Sequence, residues 1–182
     1  MGQYYTPVIK RNNRFNNYYS HNYGNGLKLM EHSYIRNNFV DTVLKELYKN
    51  PGKLAWVGDY AEPDDVNSPE ALDFIKSQER DIYTNPKRSD GSFMVDKVVV
   101  NHTKKEYVNL AEYIESATKD DWDFQINPIP LLTAIGNGKG GGDYCGNQEN
   151  MIGHWACDEL EVVDEIPDGY TNIVNDVYFE EH

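Results

Sequence analysis

The strongest periodic signal lies in LKLMEHSYIRNNFVDTVLKELYKN, residues 27–50. Ile35, Phe39, Val43 and Leu47 recur at every fourth position, and Val40 and Leu44 widen the stripe. That spacing predicts an amphipathic helix with one buried face. Ser33 is a candidate N-cap, and Asn50-Pro51-Gly52 is a stop signal. A second helix is expected after Ser68-Pro69-Glu70, with Leu72, Phe74 and Ile75 on its buried side, fading before Asn85-Pro86. The remaining apolar runs are short and bounded by Gly, Pro, Asn and Asp, so the helices must share their core with strands.

Strands are expected at 3–9, with 15–23 returning as its hairpin partner and Pro7 marking an edge. Others are expected at 53–60, at 92–101 with 106–110 across a turn, at 131–135, at 152–163 with a kink, and at 174–179. A short helix fits 110–117. No repeat and no long linker divides the chain. The expectation is an α+β protein, a single domain over residues 1–182, with a largely antiparallel sheet, two main helices and a Gly-rich loop.

The net charge of −13, from 17 Lys+Arg and 30 Asp+Glu, excludes a simple basic surface for duplex binding. The charge is uneven. Residues 1–60 sum to +4, residues 61–139 to −6, and residues 140–182 hold eleven acids with no Lys or Arg. The acids of this last part alternate with Tyr, Val, Ile and Trp, which marks folded chain rather than an acidic tail. Clusters stand at Glu62/Asp64/Asp65, Asp120/Asp121/Asp123, Asp158/Glu159/Glu161 and Asp164/Glu165/Asp168. Taken singly, each reads as solvated surface. Taken together, they can imitate a phosphate backbone and occupy a basic channel of another protein. There is no apolar leader and no run of about 20 apolar residues, so a soluble intracellular protein is expected, with Cys145 and Cys157 as reduced thiols.

Gly136, Gly138 and Gly141 match a GxGxxG spacing, but Asp143-Tyr144-Cys145 follows where a helix N-terminus should receive a phosphate. An acid sits where phosphate would. The stretch Gly138-Lys139-Gly140-Gly141 is expected to be a flexible loop, with Lys139 reaching from an acidic neighbourhood. Cys145, His154 and Cys157 lack the fourth ligand of a structural zinc, so no metal is expected. His32, His102, Asp59 and Asp143 supply residue types for acid–base hydrolysis, although no spacing ties them together.

Six segments carry a resemblance: GLKLMEHSY (26–34), LAWVGDYAEPDD (54–65), VVNHTKKEYVNL (99–110), NPIPLLTAIGNGKGGGDYCGN (127–147), GHWACDELEV (153–162) and DEIPDGY (164–170). They resemble a widespread family of small proteins of gut bacteria and their phages. That family includes an anti-CRISPR inhibitor of the type II RNA-guided nuclease. The resemblance implies a protein of the bacterial host cytoplasm that binds the nuclease–guide RNA complex stoichiometrically and needs no cofactor. It assigns no residue-level site. The acidic clusters named above are then the expected partner-binding residues, and the +4 N-terminal region leaves room for a nucleic-acid contact.

Overall fold

The computed structural model describes residues 1–116 and 125–181. Its strands are β1 (Tyr5–Arg11), β2 (Arg14–Asn17), β3 (Gly52–Gly58), β4 (Val98–Asn101), β5 (Glu106–Asn109), β6 (Ala134–Ile135), β7 (Glu159–Val163) and β8 (Thr171–Asn172). Its α-helices are α1 (Leu29–His32), α2 (Asn38–Lys45), α3 (Ala71–Gln78), α4 (Leu110–Ser116) and α5 (Pro128–Leu132). One sheet takes all the strands in the order β2-β1-β3-β7-β4-β5-β8, with β6 also beside β3. Its pairings are antiparallel except β3 with β6 and β5 with β8. The α+β class and the largely antiparallel sheet are as expected.

β3 is the centre of the structure. Leu54 and Trp56 point into the main core, and Ala55 and Val57 into a smaller core on the opposite face. Burial on both faces explains why KLAWVG reads as a continuous apolar run rather than an alternation. The two main helices cover opposite faces. Phe39, Val40, Val43 and Leu44 of α2 enter the main core. Ala71, Phe74 and Ile75 of α3 close the smaller one with Val8 and Ile135. One edge of β3 is shared: Gly52 and Lys53 pair with β7, and Trp56 and Val57 with β6.

Several expected elements differ, each for a local reason. α2 starts at Asn38, because the Asn37 side chain accepts from the Phe39 and Val40 amides. Ser33 instead donates its hydroxyl to the Leu29 carbonyl at 2.6 Å. Residues 128–132 are helical, not strand: Asn127 caps the Ile129 amide at 3.0 Å and Pro128 takes the first helical position. Residues 152–157 are turns, and Cys157 has φ +67°, so the strand begins only at Glu159. Val174–Asp176 is a short 3₁₀ turn; Val174, Val177 and Phe179 anchor that segment in the main core without strand pairing.

β4 starts at Val98, after a 3₁₀ turn at Met94–Asp96 held by the buried Asp41. Asp41 accepts from Ser89 Oγ at 2.6 Å, from the Phe93 amide at 2.9 Å and from the Met94 amide at 3.2 Å. Pro7 is not on an edge, since β1 lies between β2 and β3. It is tolerated because its partner Trp56 spends its amide on the Thr133 carbonyl, so that this pair exchanges no hydrogen bonds. No helix among the described residues is long and apolar enough to cross a membrane.

Candidate functional site: an acidic cleft and an acidic face

The glycine stretch after β6 folds around its own acid. The amides of Gly138, Lys139 and Gly140 donate to Asp143 Oδ2 at 2.8, 2.9 and 3.1 Å. Gln3 Nε2 donates to the same oxygen at 2.8 Å and to the Gly136 carbonyl at 2.8 Å. This is a backbone nest with the anion supplied internally. Gly138 has φ +95°, which an L side chain rarely adopts. Gly140 lies so close to Gln3 that a Cβ there would come within 2.7 Å of its backbone nitrogen. The sequence therefore needs glycine here for closure on Asp143, and not for a nucleotide.

Beside this nest lies a cleft of about 510 Å³. Asp65, Asp143 and Glu149 line it with Asn137, Tyr144 and Ile152. Lys139 bridges the rim. Its ammonium is 2.9 Å from Asp65 and 3.5 Å from Glu62, and the hydrogen bond to Asp65 leads the causes that raise its pKa. Asp143 Oδ1 and the Tyr5 hydroxyl are both buried and have no other hydrogen-bond partner among the described residues. Burial, and then the Asp143 charge, push the Tyr5 pKa far above the usual phenol range. The hydroxyl and the carboxylate thus face each other, and both the Asp143 charge and a hydrogen bond to it contribute to the rise.

The other expected acids are held differently. Glu62, Asp64 and Asp65 sit exposed around the short turn Pro63–Asp65. Asp158 is not on an open face. It is buried, accepts from Asn101 Nδ2 at 2.9 Å, and is ion-paired with Lys104. The alternation of β7 sends Leu160 and Val162 inward and Glu159 and Glu161 outward. Glu161 pairs with His102 Nε2 at 2.8 Å, whereas Glu159 is exposed. Asp164 accepts from the Tyr48 hydroxyl at 2.6 Å and meets Lys49 and Lys97 at 3.5 and 3.4 Å. The Tyr48 bond leads the causes that hold its carboxyl below the ordinary value. Glu165 and Asp168 are exposed. Among the described residues, Glu159, Glu165 and Asp168 have no ion-pair partner within 4.0 Å. Asp120, Asp121 and Asp123 lie outside the described residues.

The four residues considered for acid–base hydrolysis are not assembled as a set: Asp59 and Asp143 both act on Tyr5, but no hydrogen bond or ion pair joins any two of the four among the described residues. His32 is wholly buried. Trp56 Nε1–H donates to its Nε2 at 2.9 Å, which leaves Nδ1–H to donate to the Gly26 carbonyl at 2.9 Å. Burial lowers its pKa to about 4. Asp59 accepts the Tyr4 amide at 2.9 Å. His102 is the middle of a different chain, with Glu161 on Nε2 and the Tyr170 hydroxyl 2.7 Å from Nδ1. Cys145 is exposed and Cys157 buried, its thiol pushed up to about 12 by burial. His154 is engaged by Glu106 at 3.1 Å.

Sequence reasoning missed Gln3 and Glu149. Gln3 carries no local signal, because its partners lie more than 50 positions away. Glu149 reads as one more surface acid until the turn around Gln148 places it on the cleft. Fold and site together define an α+β protein with an acidic cleft and with exposed acids on and just after β7. No family model, no curated protein and no solved structure matches the chain.

Proposed function

We propose that this protein is a stoichiometric anti-CRISPR inhibitor that binds the guide-loaded type II nuclease through its acidic surface. It acts in the bacterial host cytoplasm and uses no cofactor. One observation carries this reading: among the described residues, Glu159, Glu165 and Asp168 stand exposed with no ion-pair partner, and Glu149 is exposed on the cleft. A nuclease that holds nucleic acid in positive channels offers the complementary surface. The choice of that nuclease over other basic partners rests on the resemblance of the six segments. The basic N-terminal region is largely spent internally. Lys10 and Lys53 pair with Glu70 at 2.7 and 2.6 Å, and Arg11 donates to the carbonyls of Glu46, Asn50 and Pro51. A contact with nucleic acid is therefore secondary to the acidic surface in this reading.

The test is DNA cleavage by guide-loaded nuclease titrated with the protein. Inhibition should saturate near one protein per complex and weaken as salt rises. The variant Glu159→Lys/Glu165→Lys/Asp168→Lys should lose inhibition while melting like the wild type. Full inhibition by that variant, or unimpeded cleavage at excess protein, refutes the proposal.

A second reading has one observation in its favour. Glu161, His102 and Tyr170 form the hydrogen-bonded order of orienting acid, base and hydroxyl used in nucleophilic catalysis. On this hydrolase reading His102→Ala abolishes turnover of excess substrate, and on the inhibitor reading stoichiometric inhibition survives it.

A further inference from the structure

We propose that the glycine loop after β6 is a receptor for a small monocarboxylate that carries its own ligand, and that the same donors take up formate from solution once the Asp143 carboxylate is removed. The inference does not depend on the nuclease reading. Four donors converge on one oxygen of Asp143: the amides of Gly138, Lys139 and Gly140 at 2.8, 2.9 and 3.1 Å, and Gln3 Nε2 at 2.8 Å. The hydroxyl of Tyr5, a residue of the main core, faces the same carboxylate. Gln3 precedes β1 and Tyr5 opens it, so the carboxylate ties the loop to the first strand. On its other side lies the cleft, which Gly136, Gly138, Gly140 and Asp143 help to line. A solute anion therefore has an open route to these donors.

The chemistry selects the ligand. The donors are backbone amides, a carboxamide and a phenol, all neutral. The ammonium of Lys139 is turned to Asp65 and Glu62 rather than to the nest. Oriented dipoles without a cation suit a single negative charge. Asp65 and Glu149 line the same cleft, and their charge opposes a dianion such as phosphate. The shape agrees: the amides take one oxygen of a planar carboxylate, and the other lies against the Tyr5 hydroxyl. In the wild type the ligand is part of the chain, so its effective concentration keeps free anions out. Asp143→Ala deletes one carboxylate and leaves the N–H groups without their acceptor, and formate is that carboxylate supplied free.

The experiment follows thermal melts and amide NMR shifts of the full chain as sodium formate replaces sodium chloride at constant ionic strength. The melting temperature of Asp143→Ala should climb with formate as mass action on the native state requires. Its amide shifts should saturate and centre on Gly138 to Gly140. The wild type and Asp143→Asn, whose side chain still fills the nest, should not respond. Adding Tyr5→Phe to Asp143→Ala should weaken formate about tenfold, the worth of one charge-assisted hydrogen bond. Phosphate should act more weakly than formate. An equal response from the wild type or from Asp143→Asn, scattered shifts, or no response in folded Asp143→Ala overturns the proposal. A stronger response to phosphate overturns the choice of a monocarboxylate, and an unchanged affinity in the double variant overturns the part assigned to Tyr5. If Asp143→Ala is unfolded in chloride, folding on exchange into formate supports the proposal and continued unfolding refutes it.

Discussion

His32 makes stability depend on pH in a window that can be worked out beforehand. In the native state its Nε2 must accept from Trp56, so a proton on that nitrogen would face a donor. Burial depresses the pKa to about 4, against support for the charged form from the Gly26 carbonyl and Glu31. The unfolded imidazole titrates near 6.5. Between about 6.5 and 4 the unfolded chain therefore holds a proton that the native chain refuses, and stability falls as pH falls. The gap converts to about 3 kcal/mol at ~1.4 kcal/mol per pH unit, fully expressed at pH 4 and absent above pH 7. Urea unfolding followed by Trp fluorescence at intervals from pH 7.5 to 4 measures it. The variant His32→Gln keeps an acceptor and a donor but cannot titrate. It should be less stable than the wild type at pH 7 and show a flatter profile between 6.5 and 4. Glu70, Asp90 and Asp164 have lowered pKa values and lose their contribution only at the acid end, in both proteins. Identical slopes for the two proteins would refute the reasoning, as would an imidazole titration by NMR placing His32 at its ordinary value.

Three further outcomes are expected. Asp143→Ala leaves three loop amides and the Gln3 amide without their acceptor, costing about 2–3 kcal/mol; hydrogen exchange of Gly138 to Gly140 should accelerate, and unchanged protection would contradict the nest. Gly91→Ala places a Cβ against the Arg36 carbonyl at φ +94° and should lower stability by at least ~2 kcal/mol in thermal melts. Asp158→Lys puts a second cation beside Lys104 in a buried site and should unfold or severely weaken the protein, whereas Glu159→Lys next to it should leave the melting temperature nearly unchanged.

The sequence was most legible where one element answers to one pattern. The α2 stripe and the continuous apolar run of β3 both state their burial directly. The first turn of α2 was misplaced because Ile35 extends the stripe while its backbone donates to Gln125 outside the helix. The α5 turn was legible in principle, as Asn127-Pro128 is a helix start, but the apolar run Leu131–Ile135 masked it. Acids are the harder case. Asp41, Asp158 and Asp143 are indistinguishable in sequence from Glu159 or Asp168, yet the first three are bound internally. What separates them is their partners, which lie 3 to 140 positions away along the chain. The acidic character of the last quarter could be read off; which acids face outward could not.

The divided edge of β3 constrains how the chain can fold. A strand made early, at residues 52–58, stays half-paired on that side until residues 134–135 and 159–160 arrive. Contacts of such long sequence separation slow folding, since loop closure precedes any reward. During synthesis, at roughly 5–20 residues per second, the apolar edge of β3 waits several seconds for its partners. The hairpin of β1 and β2 can satisfy the opposite edge at once. The exposed interval therefore belongs to one side of one strand, and refolding should be sensitive to chaperones and protein concentration mainly through that side.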